Sequence, residues 1–557
     1  MAACRPHFLA IAGFSALLNI LALTPTIYMM QVYDRVLGSS SLMTLAALSI
    51  VCVMGLGTMA LLDWLRARLL IRLTARFDRK LAETTLKALL SRPSLSRHER
   101  AEGMRRFDAL RQGLGGPGMI ALFDLPWTPV FLIVAFLIHP AIGGLALFSG
   151  LFLLALAWSN ERATHSRATA AGEAASLAYG NQGYISSYAN EIRAMGMRDA
   201  MVLRQMRDRQ TVAGLQIGAS FAATGHSSMI RFSRLLLQSA ALGLGALLAV
   251  KGSISPGAIF ASTLLLSRSV APIEQVVGGW KNLAEVRDAH RVIDALLGKD
   301  GDLEHTKLPD PTGLVTVENL TVLTPQNERV ALAGVSFEVN PGEVIGVVGL
   351  SGAGKSTLLR ALAGATHPKA GAVRYDGAAY PDWNADQIAR AIGYVPQEFV
   401  LFPGTVKENI SRFDGELGLD PALIDAQVVE AAQQAGVHDL VLHLPQGYET
   451  KIGFGGVGLS AGQTQRIALA RALYGAPKIL ILDEPNAHLD SEAEHRFIKL
   501  LSELRQKGST VIMAAHSGDV LASCDRLLLL QNGRVARFGA VTATPAAPVR
   551  PVSHQKV

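Results

Sequence analysis

Val344-Ile345-Gly346-Val347-Val348-Gly349-Leu350-Ser351-Gly352-Ala353-Gly354-Lys355-Ser356-Thr357-Leu358-Leu359 decides how the rest of the chain is read. A short β-branched apolar run enters a glycine-rich turn, and a helical pattern follows at once. That is the strand–loop–helix setting of a phosphate-binding loop. Gly349, Gly352 and Gly354 carry no side chain, so backbone N–H groups can wrap a polyphosphate. The next helix adds its free N–H groups and the positive end of its dipole. Lys355 can place its ammonium on the β- and γ-phosphates, and the Ser356 hydroxyl can ligate Mg²⁺. A glycine-rich turn without a ligand is the competing reading of this stretch alone.

Outward from the loop, the 557-residue chain is too long for one core. Half of it is hydrophobic and only 17 % is charged. With a mean hydropathy of +0.28, this is too apolar for an ordinary soluble protein. The long uncharged runs all fall in the first half. A net charge of +7 fits arginine-rich loops at a membrane better than a nucleic-acid surface, because no stacking aromatics accompany the arginines. Cys4, Cys52 and Cys524 are too scattered for a disulfide framework or a zinc site and read as isolated thiols.

Residues 7–33 hold no Asp, Glu, Lys or Arg, enough to cross a bilayer core, which takes ~20 residues. No cleavage site follows, and a second apolar run comes directly after, so a signal peptide is not expected. The polar turn around Asp34-Arg35 reads as a water interface rather than a binding site, and residues 36–62 as the second span. A basic, amphipathic stretch from Arg66 to Arg111 fits two helices extended into the cytoplasm. Phe123-Asp124-Leu125-Pro126-Trp127 opens a longer uncharged stretch that His139-Pro140 divides into helices over roughly 120–138 and 141–159. Asp124 is expected at the start of the first, as a carboxylate on a helix N-terminus. Two more spans flank Lys251-Gly252. The count is six, and the arginine-rich loops share the side of the N-terminus, so both termini are expected in the cytoplasm. The expected domains are a six-span α-helical bundle over 1–275, a linker over 276–312, an α/β nucleotide-binding domain over 313–541 and a disordered tail over 542–557.

Four further elements make the loop specific. Lys478-Ile479-Leu480-Ile481-Leu482-Asp483-Glu484-Pro485 is a buried strand ending in two carboxylates, Asp483 for Mg²⁺ and Glu484 as general base for the attacking water. Tyr394-Val395-Pro396-Gln397 puts a glutamine after another strand, within reach of the metal or water. Val511-Ile512-Met513-Ala514-Ala515-His516 ends a third strand in a histidine able to contact the γ-phosphate. Leu459-Ser460-Ala461-Gly462-Gln463 precedes a helical run, and its hydroxyl, glycine and helix N-terminus form a second phosphate-binding surface.

With these pieces in this order, the chain resembles the ATP-binding cassette superfamily. They match its Walker A (349–357), Q-loop (Gln397), signature (459–463), Walker B (479–484), D-loop (486–490, ending at Asp490) and H-loop (His516). The resemblance implies ATP with Mg²⁺, and a homodimer in which the signature and Asp490 of one protomer close over the ATP of the other. One bundle and one cassette per chain make a half-transporter. Ala22-Leu23-Thr24-Pro25-Thr26-Ile27-Tyr28-Met29-Met30-Gln31-Val32-Tyr33-Asp34-Arg35-Val36-Leu37, the 123–127 segment and Ala194-Met195-Gly196-Met197 resemble the exporters of bacterial type I secretion systems. The protease and lipase exporters, whose cargo keeps an uncleaved C-terminal signal, are the nearest subgroup. That resemblance implies an inner-membrane ATPase, an unfolded protein as cargo, contact with membrane lipid, a periplasmic membrane-fusion adaptor and an outer-membrane channel. It also implies coupling regions within 90–113 and 187–204. Because the first span begins so near Met1, the N-terminal peptidase-like domain of some relatives is not expected. Three positions depart from the family pattern. Thr324 stands where many cassettes carry an adenine-stacking aromatic, Ala461 replaces a signature glycine, and Thr450-Lys451-Ile452-Gly453-Phe454-Gly455-Gly456 lacks the acids many exporters use toward their coupling loops. A lipid, peptide or drug exporter of this architecture, an ATP-operated scaffold, and a soluble cassette for DNA repair or translation are the other readings. The intact catalytic set argues against the second, and the six spans against the third.

Overall fold

The computed structural model describes residues 5–92, 95, 97–298, 308–324, 329–453, 458–486 and 491–541. It divides into two compact units, Met1–Gly301 and Asp302–Val557. In the first, α1 (Arg5–Leu21) turns at Ala22-Leu23 into α2 (Thr24–Gln31), where Pro25 at the first turn restarts the helix. A π-helical turn, Val32–Val36, leads to α3 (Leu37–Ser39), which stops at Ser40 in the left-handed region. Ser41 caps α4 (Leu42–Ser91) by accepting from the Thr44 N–H at 3.3 Å. Then come α5 (Arg97–Leu114), α6 (Pro117–Asp124), a 3₁₀ turn over Leu125–Trp127 and α7 (Thr128–Ile138). The chain continues with α8 (Pro140–Ser187), α9 (Ala189–Ala194), α10 (Arg198–Val250), α11 (Pro256–Gly278) and α12 (Trp280–Gly298).

Among the described residues, six helical stretches are long and apolar enough to cross a membrane: Pro6–Ser39, Leu42–Ser91, Pro117–Ile138, Pro140–Ser187, Arg198–Val250 and Pro256–Val276. The 50 residues of α4 extend roughly 75 Å, far beyond the ~30 Å of a hydrocarbon core. Its apolar first half can span, and its arginine-rich second half continues into water.

One expectation for this unit is corrected, and two further segments gain structural detail. Asp124 does not begin a helix, because Pro117 already starts α6 and Asp124 stands at its end. Arg66 of α4, buried to 8 % exposure, takes the carboxylate instead, with Nη1 at 2.9 and 3.2 Å from its two oxygens. Asn19 of α1 donates to the same group at 3.1 Å, and Arg66 also reaches Ser15 (3.1 Å) and Asp63 (2.7 Å). The polar turn at Asp34 is a structural clasp: its carboxylate accepts from Ser255 Oγ at 2.6 Å and from the Gly257 N–H at 2.7 Å, capping α11. A Cβ on Gly257 would lie 2.5 Å from the Met30 carbonyl, so only glycine permits that approach. The first part of the expected linker is also ordered helix. Val286, Ala289 and Ile293 of α12 form one stripe that packs on Phe77, Phe107, Leu110 and Leu114, which places α12 in the first unit.

The second unit is built on two sheets. Its elements are β1 (Val315–Leu323), β2 (Val330–Val339), β3 (Val344–Val348), α13 (Lys355–Leu362), β4 (Ala370–Tyr375), β5 (Ala378–Ala379), α14 (Ala385–Ala391), β6 (Ile392–Val395), β7 (Gly404–Thr405) and α15 (Val406–Ile410). They continue with α16 (Pro421–Gln434), α17 (His438–Leu442), β8 (Lys451–Ile452), α18 (Ala461–Leu473), β9 (Ile479–Asp483), α19 (Ser491–Gln506), β10 (Thr510–Ala514), α20 (Gly518–Ala522), β11 (Arg526–Gln531) and β12 (Arg534–Ala540). The central sheet has the order β12-β11-β3-β10-β9-β6 and is parallel except for β12, while β2-β1-β4-β5 form an antiparallel sheet. Alternation along β9 sends Ile479 and Ile481 to the core shared with Val317, Leu320 and Leu358. Leu480 and Leu482 go to the core formed with Ile424, Val428 and Ile467. Burial on both faces is why these strands read as unbroken apolar runs.

The Arg66–Asp124 contact makes a direct prediction. Arg66→Met leaves the carboxylate without its cation and is expected to cost about 3–5 kcal/mol. Adding Asp124→Asn should recover more than half of that loss in thermal unfolding of the detergent-purified protein. An additive double variant would disprove the coupling.

Candidate functional site

Parallel register brings the functional strand ends together. Val347 of β3 pairs with Ala514 of β10, Ala514 pairs with Asp483 of β9, and Leu482 pairs with Val395 of β6. The glycine loop, the two carboxylates, His516 and Gln397 therefore all leave the sheet at its carboxyl edge, where open α/β sheets bind ligands.

Gly349 sits where a Cβ would be 2.5 Å from the Leu530 carbonyl, so the loop can pass only as bare backbone. Gly354 has φ +102°, and its Cβ would meet Leu332 at 2.8 Å. Ser351 is exposed at the crown of the loop, whereas Ala353 is buried and its carbonyl accepts from the Gly533 N–H at 3.1 Å. Lys355, Ser356 and Thr357 form the first turn of α13. Lys355 is buried and its Nζ donates to the Gly349 carbonyl at 2.8 Å, closing the loop on itself.

Ser356 Oγ donates to Gln397 Oε1 at 3.4 Å. Asp483 is 2 % exposed, and its Oδ1 is a buried acceptor with no hydrogen-bond partner. Burial pushes the Asp483 carboxyl above its usual range and the Glu484 charge adds to this, while Ser356, Arg360 and Lys355 oppose it. A hydroxyl, an amide oxygen and an orphaned carboxylate oxygen form a hard-oxygen set of the kind Mg²⁺ takes alongside phosphate oxygens. Among the described residues no cluster of three His, Cys, Asp or Glu offers another metal site.

Glu484 has φ +53°, a left-handed conformation that costs a non-glycine residue of order 1–3 kcal/mol. Its N–H donates to the Ala514 carbonyl at 3.1 Å, and its Oε1 lies 3.0 Å from His516 Nε2. The strained turn is held from behind by Gln465, whose Nε2 donates to the carbonyls of Glu484 (3.4 Å) and Pro485 (2.6 Å). Gln465 had no place in the motifs read from sequence. Flanked by Thr464 and Arg466, Gln465 gives no signal in the sequence, and its burial shows only in the fold.

The signature residues sit apart from these contacts. Ser460 and Gln463 cap α18 reciprocally, with Ser460 Oγ accepting from the Gln463 N–H (3.3 Å) and Gln463 Oε1 from the Ser460 N–H (2.9 Å). Gly462 lies in the same first turn, and Ser460 is exposed to solvent. Thr324 closes the β1–β2 hairpin through Arg329, with its N–H 2.8 Å from the Arg329 carbonyl. Asp490 and residues 454–457 lie outside the described residues.

Comparisons with known proteins agree with this geometry. The family model described as ABC transporter matches residues 332–487, and an AAA-domain model matches 457–523. The type I secretion system ATP-binding protein PrsD of Rhizobium meliloti is 37 % identical over 98 % of this chain and 94 % of its own length. The chain belongs to the ABC transporters of type I secretion systems. The alpha-hemolysin translocation ATP-binding protein HlyB of Escherichia coli and the leukotoxin translocation ATP-binding protein LktB of Mannheimia haemolytica are each 30 % identical. Each aligns with 96 % of this chain and 76 % of the relative. A bacterial Atm1-family ABC exporter solved with ATP bound shares the fold, with a TM-score of 0.79 over 97 % of this chain and 96 % of that one at 24 % identity. As an ABC transporter the chain is a transport ATPase, with six apolar helical spans preceding its cassette.

The strained carboxylate pair of this transporter carries a pH-dependent prediction. A buried acid whose folded pKa is raised costs stability once pH exceeds its unfolded value, and the cost grows until pH passes the folded value. With metal chelated by EDTA, Asp483→Asn should raise the unfolding midpoint near neutral pH by a few degrees. The advantage should shrink as pH falls through the carboxylate range. A lowered midpoint at neutral pH would show that Asp483 is stabilised rather than strained by its site.

Proposed function

We propose that this transporter is the ATP-driven inner-membrane component of a type I secretion system, exporting unfolded proteins that keep uncleaved C-terminal signals. The end-to-end similarity to a type I secretion ATP-binding protein, in a chain pairing six spans with one cassette, carries this reading. It works as a homodimer, with a periplasmic membrane-fusion adaptor and an outer-membrane channel completing the route and membrane lipid around the bundle. Both termini lie in the cytoplasm, on the side of the arginine-rich extensions.

The chemistry follows from the groups at the sheet edge. The N–H groups of residues 349–357 cradle the polyphosphate, and Lys355 turns from the Gly349 carbonyl to the β- and γ-phosphates. Ser356, Gln397 and Asp483 would hold Mg²⁺, which when bound neutralises charge on the phosphate oxygens. Glu484 takes the proton of the water that attacks the γ-phosphorus as the bond to the β-phosphate oxygen breaks. His516 holds the Glu484 carboxylate in line and reaches the γ-phosphate. Ser460, Gly462 and Gln463, exposed at the start of α18, and Asp490 meet the ATP of the second protomer, so binding clamps the cassettes and hydrolysis releases them. Coupling regions within 90–113 and 187–204, the second containing the short, largely exposed α9, carry that motion to the helices.

Two tests address this reading. Glu484→Gln should reduce turnover by about 10²–10⁴-fold and accumulate nucleotide-bound closed dimers, and normal turnover would remove Glu484 as base. Mass spectrometry of culture medium should show proteins without N-terminal signal peptides disappearing in a Lys355→Ala strain. An unchanged secreted set with altered envelope lipids or drug resistance would overturn protein as the cargo and favour a small-molecule or lipid exporter.

A further inference from the structure

Gln465 stands between two parts of the hydrolysis machinery. It is 2 % exposed in the second turn of α18, the helix whose start carries Ser460, Gly462 and Gln463. We propose that Gln465 is a positioning residue that ties the turn of the base Glu484 to the signature end of α18. Nucleotide of the second protomer, engaged at that end, thereby sets the base of this one. This rests on the homodimer reading above and assigns the residue that links the two ATP sites.

The bonds to the base turn are the first observation. Glu484 leaves β9 at φ +53°, a conformation that a residue with a side chain keeps only when its surroundings hold it. From the β10 side, the Ala514 carbonyl accepts from the Glu484 N–H at 3.1 Å. From the other side, Gln465 Nε2 donates to the Pro485 carbonyl at 2.6 Å and to the Glu484 carbonyl at 3.4 Å. One amide group thus serves two successive carbonyls. Its Oε1 is buried with no partner, which an apolar side chain of the same length would avoid. The donors, not the acceptor, account for an amide at this position. With the turn held, Glu484 Oε1 lies 3.0 Å from His516 Nε2.

The helix supplies the second observation. The Ser460 carbonyl accepts from the Thr464 N–H at 2.9 Å and from Thr464 Oγ1 at 3.0 Å, one residue before Gln465. At the far end, the Arg412 guanidinium donates to the carbonyls of Arg471 and Ala472 at 3.0 and 3.1 Å. Between these ends, Ile467, Ala470 and Leu473 pack in one core with Leu480 and Leu482 of β9. The helix is unbroken from Ala461 to Leu473, so Gln465 follows Ser460 by about 7 Å of rise with no joint between them. Ser460 is exposed and Gln465 is enclosed. One stiff element therefore runs from a surface that meets nucleotide to a turn that must be held for catalysis, and a shift of the exposed end reaches the carbonyls of Glu484 and Pro485.

The test uses the full-length protein in lipid nanodiscs. Gln465→Met keeps the length of the side chain and removes its donors. Gln465→Glu keeps the shape and turns oxygens toward the two carbonyls. In both, kcat for ATP should fall at least about tenfold while KM stays within about twofold, because the phosphate loop is untouched. The Hill coefficient for ATP, expected above one in the parent protein, should fall to about one, a change that lost packing alone does not produce. The unfolding midpoint of Gln465→Met should stay within a few degrees of the parent. An undiminished kcat in Gln465→Glu, a rise in KM that matches the fall in kcat, a parent Hill coefficient of one, or cooperativity that survives in the variants would overturn the link. So would a Gln465→Met protein that loses its fold along with its activity. If Glu484→Gln forms closed dimers while the Gln465 variants behave as the parent, the link alone fails. If Glu484→Gln forms no closed dimers, the homodimer reading falls and the link falls with it.

Discussion

The in-register parallel ladder joining β3, β10, β9 and β6 is the constraint on which the cassette depends. The glycine loop, Gln397, the two carboxylates and His516 come from segments far apart in the chain. They meet because Val347, Ala514 and Asp483 are cross-strand neighbours and Val395 pairs with Leu482. Each of these strands is buried on both faces, and their common register brings their carboxyl ends to one edge. The geometry of the candidate site follows from strand register.

Buried polar atoms without a hydrogen-bond partner occur in both units. In the helical unit, Arg66 and Asp124 are paired away from water, with Asn19, Ser15 and Asp63 adding hydrogen bonds, while Arg66 Nε has no partner. Such a network ties α1, α4 and α6 at a point where an unpaired charge would be costly. In the cassette, Asp483 keeps an unpartnered oxygen and Glu484 a left-handed backbone, and Gln465 holds that turn in place. At this strand end an unpartnered acceptor and a left-handed backbone stand on adjacent residues.

Charge is also distributed with position. Arginines dominate the helical extensions, while carboxylates collect around the cavity between α5, α8, α10, α11 and α12. The first pattern orients a chain in a membrane. The second is largely matched by arginines, which pair with Glu102, Glu274 and Asp288 at 3.3–4.0 Å.

Local sequence by itself determined the features whose cause is local. Glycines spaced for a phosphate loop, carboxylates at the end of an apolar strand and six uncharged runs each carry their own physics, so the cassette and the number of spans were legible from residues alone. Asp124, Asp34 and residues 280–298 were not. A carboxylate near a proline looks like a helix cap, and only the fold shows that Arg66, 58 positions away, claims it. Asp34 looked like interface polarity until Ser255 and Gly257 were brought beside it. The amphipathic stretch of α12 was visible, but the partner for its apolar stripe lies on α5 and the far end of α4. Gln465 likewise acquires a role only when α18 packs beneath the turn after β9. Tertiary structure decided these because each depends on which distant group fills a buried partner's remaining valence, and neither composition nor periodicity encodes that.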